Sequence, residues 1–411
     1  MNQTVQKKSN HKMTHTTNTV NHISLKLLLP LLASIMALSP LAIDMYLPAM
    51  PILAEYLSTD MPMVQNSLSI YLFGYALGLV LFGPMADKYS RRKMVLFGIS
   101  GFLLASLLLP FVTNIEQFLT LRFVQAFVSS AATVVIPSAI REYYQNNTAK
   151  GLSYVSMIMM LAPMIAPTIG SMLLAVHSWQ MIFYVLSFYS IVILTLAFKF
   201  LPEAVRKVTS EEKQISFLSR YKVVFSNGEA RLDIISSMMI SFAFFAYLTA
   251  IPFVYLTVFE VSEFSFSVLF GTTVVALMCS HFINTRLIVR KGSRKMLAYG
   301  LICALIASIA LLLVNTFSLP LVYTVLSILP LMGGISMVSV NSDALVIIKF
   351  PDNSGTATAV LGTLRFGIGA LAGPILAYFY NGSALPFAIL MFSAVLVVLL
   401  CQIIIYNNDK K

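Results

Sequence analysis

The chain is poor in charged residues and in cysteine. Of its 411 residues only 10% are charged and three are cysteines, whereas 58% are hydrophobic and the mean hydropathy is +0.85. Cys279, Cys303 and Cys401 all fall in apolar runs, where a free thiol behaves as a small hydrophobic group, so no disulfide framework is expected. This scarcity of charge excludes an ordinary soluble domain and indicates an integral membrane protein.

The sequence also lacks two motifs that would indicate chemistry driven by nucleotide or metal. It contains no G-x-x-x-x-G-K-(S/T) loop to cradle phosphates and no H-E-x-x-H helix to hold a zinc ion. An ATP-driven pump and an intramembrane metalloprotease are therefore disfavoured. We expect neither an enzyme nor a resident cofactor or metal.

Long apolar runs predict twelve membrane-spanning helices, each near the ~20 residues that cross the hydrocarbon core. The predicted fold class is thus an all-α membrane protein. We number the spans 1 to 12 and place them at 25–48, 66–86, 94–113, 118–140, 153–174, 179–201, 233–256, 265–289, 296–315, 319–344, 356–379 and 384–406.

The basic residues are distributed unevenly along the chain. If the N-terminus is cytoplasmic, all 27 lie in inner tails, inner loops or adjoining helix ends, except Arg122 and Arg365. This is the positive-inside pattern, so both termini are predicted to be cytoplasmic. The net charge of +11 then reflects membrane topology rather than nucleic-acid binding.

The longest connection between spans is charged and comparatively polar, and it predicts a central cytoplasmic linker. Six spans lie on each side, and the two sides share a tripeptide at matching positions, Leu72-Phe73-Gly74 in span 2 and Leu269-Phe270-Gly271 in span 8. Internal repeats of this kind are typical of transporters. The predicted divisions are a tail (1–23), a six-helix bundle (24–201), the linker (202–232), a second bundle (233–406) and a tail (407–411).

One acid interrupts the first apolar run. Asp44 lies between Lys26 and Glu55, the nearest charges, and a helix anchored at Lys26 carries it about 27 Å along the span. An aspartate at that depth costs roughly 3 kcal/mol, which makes it a functional-site candidate. Because low dielectric favours the neutral form of a carboxyl, we predict that Asp44 carries a proton. The alternatives are that it pairs with a neighbouring helix or lies at the outer surface.

A motif between spans 2 and 3 indicates a family. The run Gly83-Pro84-Met85-Ala86-Asp87-Lys88-Tyr89-Ser90-Arg91-Arg92-Lys93 resembles the signature of the major facilitator superfamily, with Ser90 in place of the usual second glycine. In that family the motif forms a network that latches the closed inner gate, which here implies roles for Gly83, Asp87, Lys88, Arg91 and Arg92. Gly83 is expected to let helices approach closely. The alternative is a positive-inside loop that happens to contain one acid.

Further motifs narrow the resemblance. Arg122 and Gln125 in span 4 resemble the family's R-x-x-Q-G element, and Pro163, Pro167 and Gly170 in span 5 resemble the proline-glycine motif of its drug:proton antiporters. The runs Ile43-Asp44-Met45-Tyr46-Leu47-Pro48-Ala49-Met50-Pro51 and Pro252-Phe253-Val254-Tyr255 are similar to those of the bicyclomycin/chloramphenicol-resistance branch. We expect Pro163, Pro167 and Gly170 to act as bend points for gating.

The resemblance implies two pseudo-symmetric six-helix bundles that export drugs by alternating access in exchange for protons. It implies a monomer in the bacterial inner membrane whose partners are small-molecule drugs, protons and the lipid bilayer, driven by the proton-motive force. Neutral, chloramphenicol-like or bicyclomycin-like compounds are the implied cargo. A proton-coupled importer and a non-transporting receptor or scaffold remain the alternatives.

Two arginines lie within the predicted spans. Arg122 lies roughly 7 Å below the outer end of span 4, which approximates the depth of Asp44 if span 1 continues to about Tyr56. We hypothesise that Arg122 and Gln125 orient and tune Asp44, whereas the alternative is that Arg122 snorkels to the outer interface. Arg365 either adds a net positive charge to the cavity or is neutralised by Asp343.

Several aromatic and methionine side chains are candidates to line a drug-binding cavity, since such surfaces accept varied planar compounds. For each residue, ordinary helix packing is the alternative. The predicted substrate-binding set is Tyr46, Tyr71, Tyr75, Met157, Met160, Tyr247 and Arg365.

Overall fold

The computed structural model describes residues 25–144, 148–202, 217–351 and 354–408, and within these ranges every regular element is a helix. Twelve helical spans in this part of the chain are long and apolar enough to cross a membrane, which confirms the predicted fold class. Their bounds are Leu28–Tyr56, Met61–Ala86, Arg91–Phe111, Ile115–Glu142, Met157–Val176, Gln180–Phe200, Arg231–Val258, Glu263–Lys291, Ser293–Thr316, Leu321–Ile348, Gly355–Tyr378 and Leu385–Asn408.

Several spans consist of more than one helix. The predicted tail 1–23, residues 203–216 of the predicted linker and residues 409–411 lie outside the described residues. The α-helices run Leu25–Asp44, Met50–Tyr56, Met61–Lys88, Arg91–Leu108, Ile115–Thr133, Ile136–Tyr144, Thr148–Val176, Gln180–Phe200, Phe217–Ser226, Arg231–Pro252, Glu263–Lys291, Ser293–Thr316, Leu321–Ile348, Ser354–Gly369, Ala372–Tyr378 and Leu385–Asn408.

Span 1 is broken just after Asp44. The helix Leu25–Asp44 ends there, a 3-10 turn covers Leu47–Ala49, and a second helix covers Met50–Tyr56. Pro48 and Pro51 each occupy the second position of one of these short elements, where the missing N–H sacrifices no helical hydrogen bond. Span 1 therefore continues to Tyr56, and Asp44 lies about 24 Å from Leu28 and about 18 Å from Tyr56 along it.

Spans 1–6 and spans 7–12 meet along a line of neutral hydrogen bonds, which we call the outer seam. Gln65 Nε2 donates to the Thr249 carbonyl at 3.0 Å, and the Gly373 amide donates to Ser69 Oγ at 2.8 Å. Gln65 and Ser69 lie near the start of span 2, and Thr249 and Gly373 lie near the ends of spans 7 and 11. All four are therefore at the end of the molecule opposite to the start of span 1. A Cβ built on Gly373 would lie 2.4 Å from Ser69 Oγ and 3.1 Å from Ser69 Cβ, so the two spans approach closely at this glycine.

A second part of the outer seam joins spans 5 and 8. Ser267 Oγ donates to the Pro167 carbonyl at 2.9 Å, and Ser171 Oγ hydrogen-bonds both Ser267 Oγ and the Glu263 carbonyl. In the described part of the chain, the hydrogen bonds between the two sets of spans all belong to the outer seam. The two halves are thus fastened at one end of the molecule.

At the opposite end, the ion pairs of the described residues each stay within one half. Arg91 pairs with Glu142 between spans 3 and 4, and Asp233 accepts from both Arg294 at 2.8 Å and Lys349 at 2.9 Å.

Candidate functional site

Asp44 is buried at the break in span 1. Its side chain is 2% exposed, and its Oδ1 atom is buried without a hydrogen-bond partner among the described residues. None of the ion pairs in this part of the structure involves Asp44. The alternatives of an outer-surface location and of a charge pair with a neighbouring helix therefore do not apply to this structure.

The break is held by close packing against span 5. A Cβ built on Gly170 would lie 2.0 Å from the Met45 carbonyl oxygen and 3.2 Å from Pro48 Cγ. Since no side chain tolerates such a distance, glycine is required for span 5 to contact the backbone that follows Asp44. The proline-glycine motif and the branch-specific run of span 1 are thereby in direct contact.

Arg122 lies in a fully buried cluster with its motif partner. Its Nη1 donates to Gln125 Oε1 at 2.7 Å, and Gln125 Nε2 in turn donates to Ser106 Oγ at 2.8 Å. The guanidinium carbon lies 4.3 Å from the Tyr46 ring centre and 4.5 Å from that of Tyr71. Such distances allow cation–π attraction to both rings. Because Arg122 is 0% exposed, it does not snorkel to the outer interface.

The structure does not bring Arg122 into an ion pair with Asp44. The two residues are connected instead through Tyr46, which follows Asp44 by two positions and packs on the guanidinium. Two nitrogens of Arg122, Nε and Nη2, are buried without hydrogen-bond partners in the described part of the chain. The hypothesis that Arg122 tunes Asp44 stays a prediction, and this structure shows the separated arrangement.

The predicted tyrosines are all buried, and they lie on spans 1, 2 and 7. Tyr46 and Tyr71 flank Arg122, and the Tyr46 hydroxyl shares a 3.0 Å hydrogen bond with Ser67. Tyr75 bonds Thr133 at 2.7 Å, and Tyr247 packs on Phe270 with ring centres 6.1 Å apart. The small hydroxyl partners were not predicted, because serine and threonine are frequent in apolar spans and nothing in the sequence distinguishes these.

Comparison with known proteins identifies the family. The model of the major facilitator superfamily matches residues 32–374. The chain belongs to this superfamily. It is therefore a multi-pass membrane transporter rather than an enzyme, as predicted.

Two relatives confirm the resemblance to the bicyclomycin/chloramphenicol-resistance branch. A bicyclomycin resistance protein homolog of Haemophilus influenzae is 27% identical, over 91% of this chain and 94% of that protein. A chloramphenicol resistance protein of Pseudomonas aeruginosa is 28% identical, over 83% and 84% respectively. Among solved structures, an inward-facing, unoccupied bacterial homolog of the lysosomal transporter Spinster matches with a TM-score of 0.74 at 13% identity, covering 94% of this chain and 97% of that one. That likeness supports the fold alone.

The superfamily's loop motif has a definite local structure. Ser90, which replaces the usual glycine, caps the helix that begins at Arg91, with its side chain accepting from the Lys93 amide. Arg92 Nη2 donates to the Phe198 carbonyl at 2.5 Å, and Lys88 is exposed. The Asp87 side chain lies outside the described residues.

The expectation for Gly83 is wrong. A Cβ built on Gly83 would meet no atom within 4 Å, so this residue does not mediate a close helix approach in this structure. Gly170 and Gly373 have that role instead. The sequence could not distinguish the three glycines because the closeness of two helices depends on their rotation.

The remaining predicted substrate residues are Arg365 on span 11 and Met157 and Met160 on span 5. Arg365 forms an ion pair with Asp343, whose Oδ1 also accepts from Ser237 Oγ at 2.6 Å, so the alternative of an added net charge does not hold. Met157 is 57% exposed on span 5. The Met160 side chain lies outside the described residues. None of these joins the Arg122 cluster through a described contact.

Proposed function

We propose that the protein is a proton-coupled exporter that exchanges neutral or weakly charged drugs for protons by alternating access. The observation that carries the proposal is Asp44, a buried carboxyl without a cationic partner at the break of span 1. The names of the bicyclomycin- and chloramphenicol-resistance relatives support a drug as cargo. We further propose that the protein acts as a monomer with both termini in the cytoplasm.

Asp44 is suited to hold and release a proton. An ionised carboxylate without a cation or hydrogen bonds is costly in apolar surroundings, so the present arrangement accommodates the protonated acid. Opening of the outer seam would change the packing of Gly170 on Met45 and admit water beside the carboxyl. The group would then exchange its proton with the side to which it is exposed.

The driving force is sufficient without a nucleotide. One proton that moves down 100 mV gains about 2.3 kcal/mol, which sustains a roughly 40-fold gradient of a neutral solute. Arg122 supplies a second control, because its approach to Asp44 would stabilise the carboxylate and its withdrawal toward Tyr46 and Tyr71 would favour the acid. The position of Arg122 would thus determine whether Asp44 holds or releases its proton.

The test uses inverted vesicles with an acidic lumen and a dye that reports luminal pH. Addition of chloramphenicol or related drugs should raise luminal pH with the native protein, and Asp44→Asn should abolish the response. Asp60→Asn is the matched control, because Asp60 caps the helix that begins at Met61 and asparagine caps equally well.

Three results would contradict the proposal. If Asp44→Asn responds like the native protein, the proton moves through another group. If a drug discharges the gradient only when it is loaded inside the lumen, the protein is a proton-coupled importer. A native protein that responds to no member of a broad drug panel would support a non-transporting role.

A further inference from the structure

The break in span 1 lies at the contact between the two halves of the molecule. The turn Leu47–Ala49, which follows Asp44, contacts span 8, and the helix Met50–Tyr56 contacts Phe253–Val258 of span 7. Asp44 itself belongs to the first half, whereas spans 7 and 8 belong to the second. A side chain of those two spans that acts on Asp44 would therefore be sensitive to any movement between the halves.

A series of contacts connects the backbone beside Asp44 to span 8. Gly170 of span 5 packs on the carbonyl of Met45, the residue that follows Asp44. One turn earlier on span 5, the Pro167 carbonyl accepts a hydrogen bond from Ser267 Oγ of span 8 at 2.9 Å. Span 5 therefore holds span 8 close to the break.

Tyr247 of span 7 lies near Asp44 across this contact. Its ring stacks on that of Phe270, which is one turn after Ser267, with ring centres 6.1 Å apart and 25° between the planes. The Tyr247 side chain is 1% exposed, and it is close enough for the charge of an ionised Asp44 to act on its hydroxyl. The acid and the phenol are thus neighbours that belong to different halves.

Both groups lack a hydrogen-bond partner in this state. The Tyr247 hydroxyl and Asp44 Oδ1 are each buried without a partner among the described residues. Thr273 lies beside the phenol, but its own hydroxyl donates to the Leu269 carbonyl at 3.3 Å. Because a phenol donates and a carboxylate accepts, each group supplies what the other lacks once Asp44 is ionised.

The other titratable groups around the break do not have this placement. On the spans that contact it, the buried or half-buried titratable and cationic side chains besides Tyr247 are Tyr46, Tyr71, Tyr75, Arg122, Tyr144, Tyr189, Asp233, Tyr255 and His281. Only the last residue of span 8 and the two of span 7 among these belong to the second half. Asp233 and Tyr255 are about 21 Å and about 12 Å from Tyr247 along span 7, and His281 is about 16 Å from Phe270 along span 8.

We propose that Tyr247 donates a hydrogen bond to the ionised Asp44 while the outer seam is closed, and that it withdraws when the halves part. Asp44 releases its proton to water, and Tyr247 keeps its own. The inference rests on the proposed exchange of drugs for protons and deepens it by naming a group that couples the proton site to the movement of the halves.

The direction of this coupling suits an exporter. A donor to a carboxylate favours the ionised form, so Asp44 loses its proton more readily while the outer seam is closed. Once the seam opens, the carboxylate has lost its donor and takes up a proton from the outer side. Proton capture outside and proton release inside then follow from the position of one hydroxyl.

The test follows the protonation of Asp44 by infrared spectroscopy of the purified protein in detergent. A protonated-carboxyl band that is absent from Asp44→Asn belongs to Asp44, and its loss with rising pH gives the midpoint of the titration. Tyr247→Phe removes only the hydroxyl and should raise this midpoint by about 1 pH unit, the shift that follows from loss of one hydrogen bond to a charged group. Tyr255→Phe is the matched control, because it makes the same exchange at a buried tyrosine of span 7 and should leave the midpoint unchanged.

An unchanged or lower midpoint in Tyr247→Phe, or an equal rise in Tyr255→Phe, would overturn the assignment. If Tyr247→Phe fails to fold, the native protein supplies the test. Ionisation of Asp44 should change the C–O vibration of one tyrosine with the same midpoint, and Asp44→Asn should lack this change. Absence of a tyrosine change in the native protein would overturn the assignment as well.

The proposed function is judged separately by the same spectra. A carboxyl band that Asp44→Asn does not remove rejects Asp44 as the proton carrier. A band that belongs to Asp44 but has the same midpoint in Tyr247→Phe rejects the donor alone.

Discussion

Replacement of Gly170 by alanine should separate spans 1 and 5 at the point that follows Asp44. The added Cβ would lie 2.0 Å from the Met45 carbonyl oxygen, and ordinary contact requires about 3.4 Å, so the backbones must part by about 1.4 Å. The obstacle is a main-chain atom, which no change of side-chain rotamer removes. Overpacking of this kind typically costs about 1–3 kcal/mol.

The expected result is a lower melting temperature in detergent together with reduced drug-driven proton flux. Both effects follow because the displaced backbone positions the carboxyl that we propose as the proton carrier. Gly362→Ala is the matched control, since a Cβ there would meet nothing within 4 Å. That exchange should be neutral or slightly stabilising, because alanine favours a helix interior by up to about 1 kcal/mol.

Equal stability and equal flux in Gly170→Ala and Gly362→Ala would refute the reasoning. A stable Gly170→Ala protein with normal flux would mean that the break adapts without consequence for Asp44. A Gly170→Ala protein with native stability but without flux would show that the substitution acts only through the position of Asp44.

Two further predictions concern other contacts. Arg122→Lys should lower drug-driven proton flux at least about tenfold without unfolding the protein. Lysine retains the charge, but it has no planar group that can hydrogen-bond Gln125 and contact both tyrosine rings at once. Normal flux would exclude a role for the planar guanidinium. Gly373→Ala should displace the Ser69 hydroxyl, because the Cβ would lie 2.4 Å from Oγ, and so remove its hydrogen bond across the outer seam and favour the outward-open state. Spin labels on the outer loops of the two halves should then show a longer distance, and an unchanged distance would contradict this expectation.

The overall fold could be predicted from the sequence because membrane spans are long, apolar and bounded by charged loops. Asp44 and Arg122 could likewise be recognised, since a charge inside an apolar run is conspicuous. Their relative placement could not. Whether Arg122 faces Asp44 or packs between Tyr46 and Tyr71 depends on the rotation of spans 1, 2 and 4, which hydropathy does not encode.

The break in span 1 shows the same limit. Pro48 and Pro51 indicate that the helix is interrupted, but they do not say that it resumes and extends the span to Tyr56. The outer seam was also beyond prediction. Its members are serine, glutamine and glycine, which are unremarkable in a membrane helix until two helices are known to face each other.

The uncharged nature of the outer seam has a consequence for how the two gates respond to the medium. Hydrogen bonds between serine, glutamine and backbone groups are short-ranged and are not screened by counter-ions, whereas ion pairs near a surface weaken as ionic strength rises. The inner end of the molecule carries the ion pairs, and the anionic lipid headgroups of a cytoplasmic leaflet would add to their field. Salinity outside the cell would therefore leave the outer closure unaltered, while the ionic composition of the cytoplasm, which the cell itself regulates, would act on the ion pairs within each half.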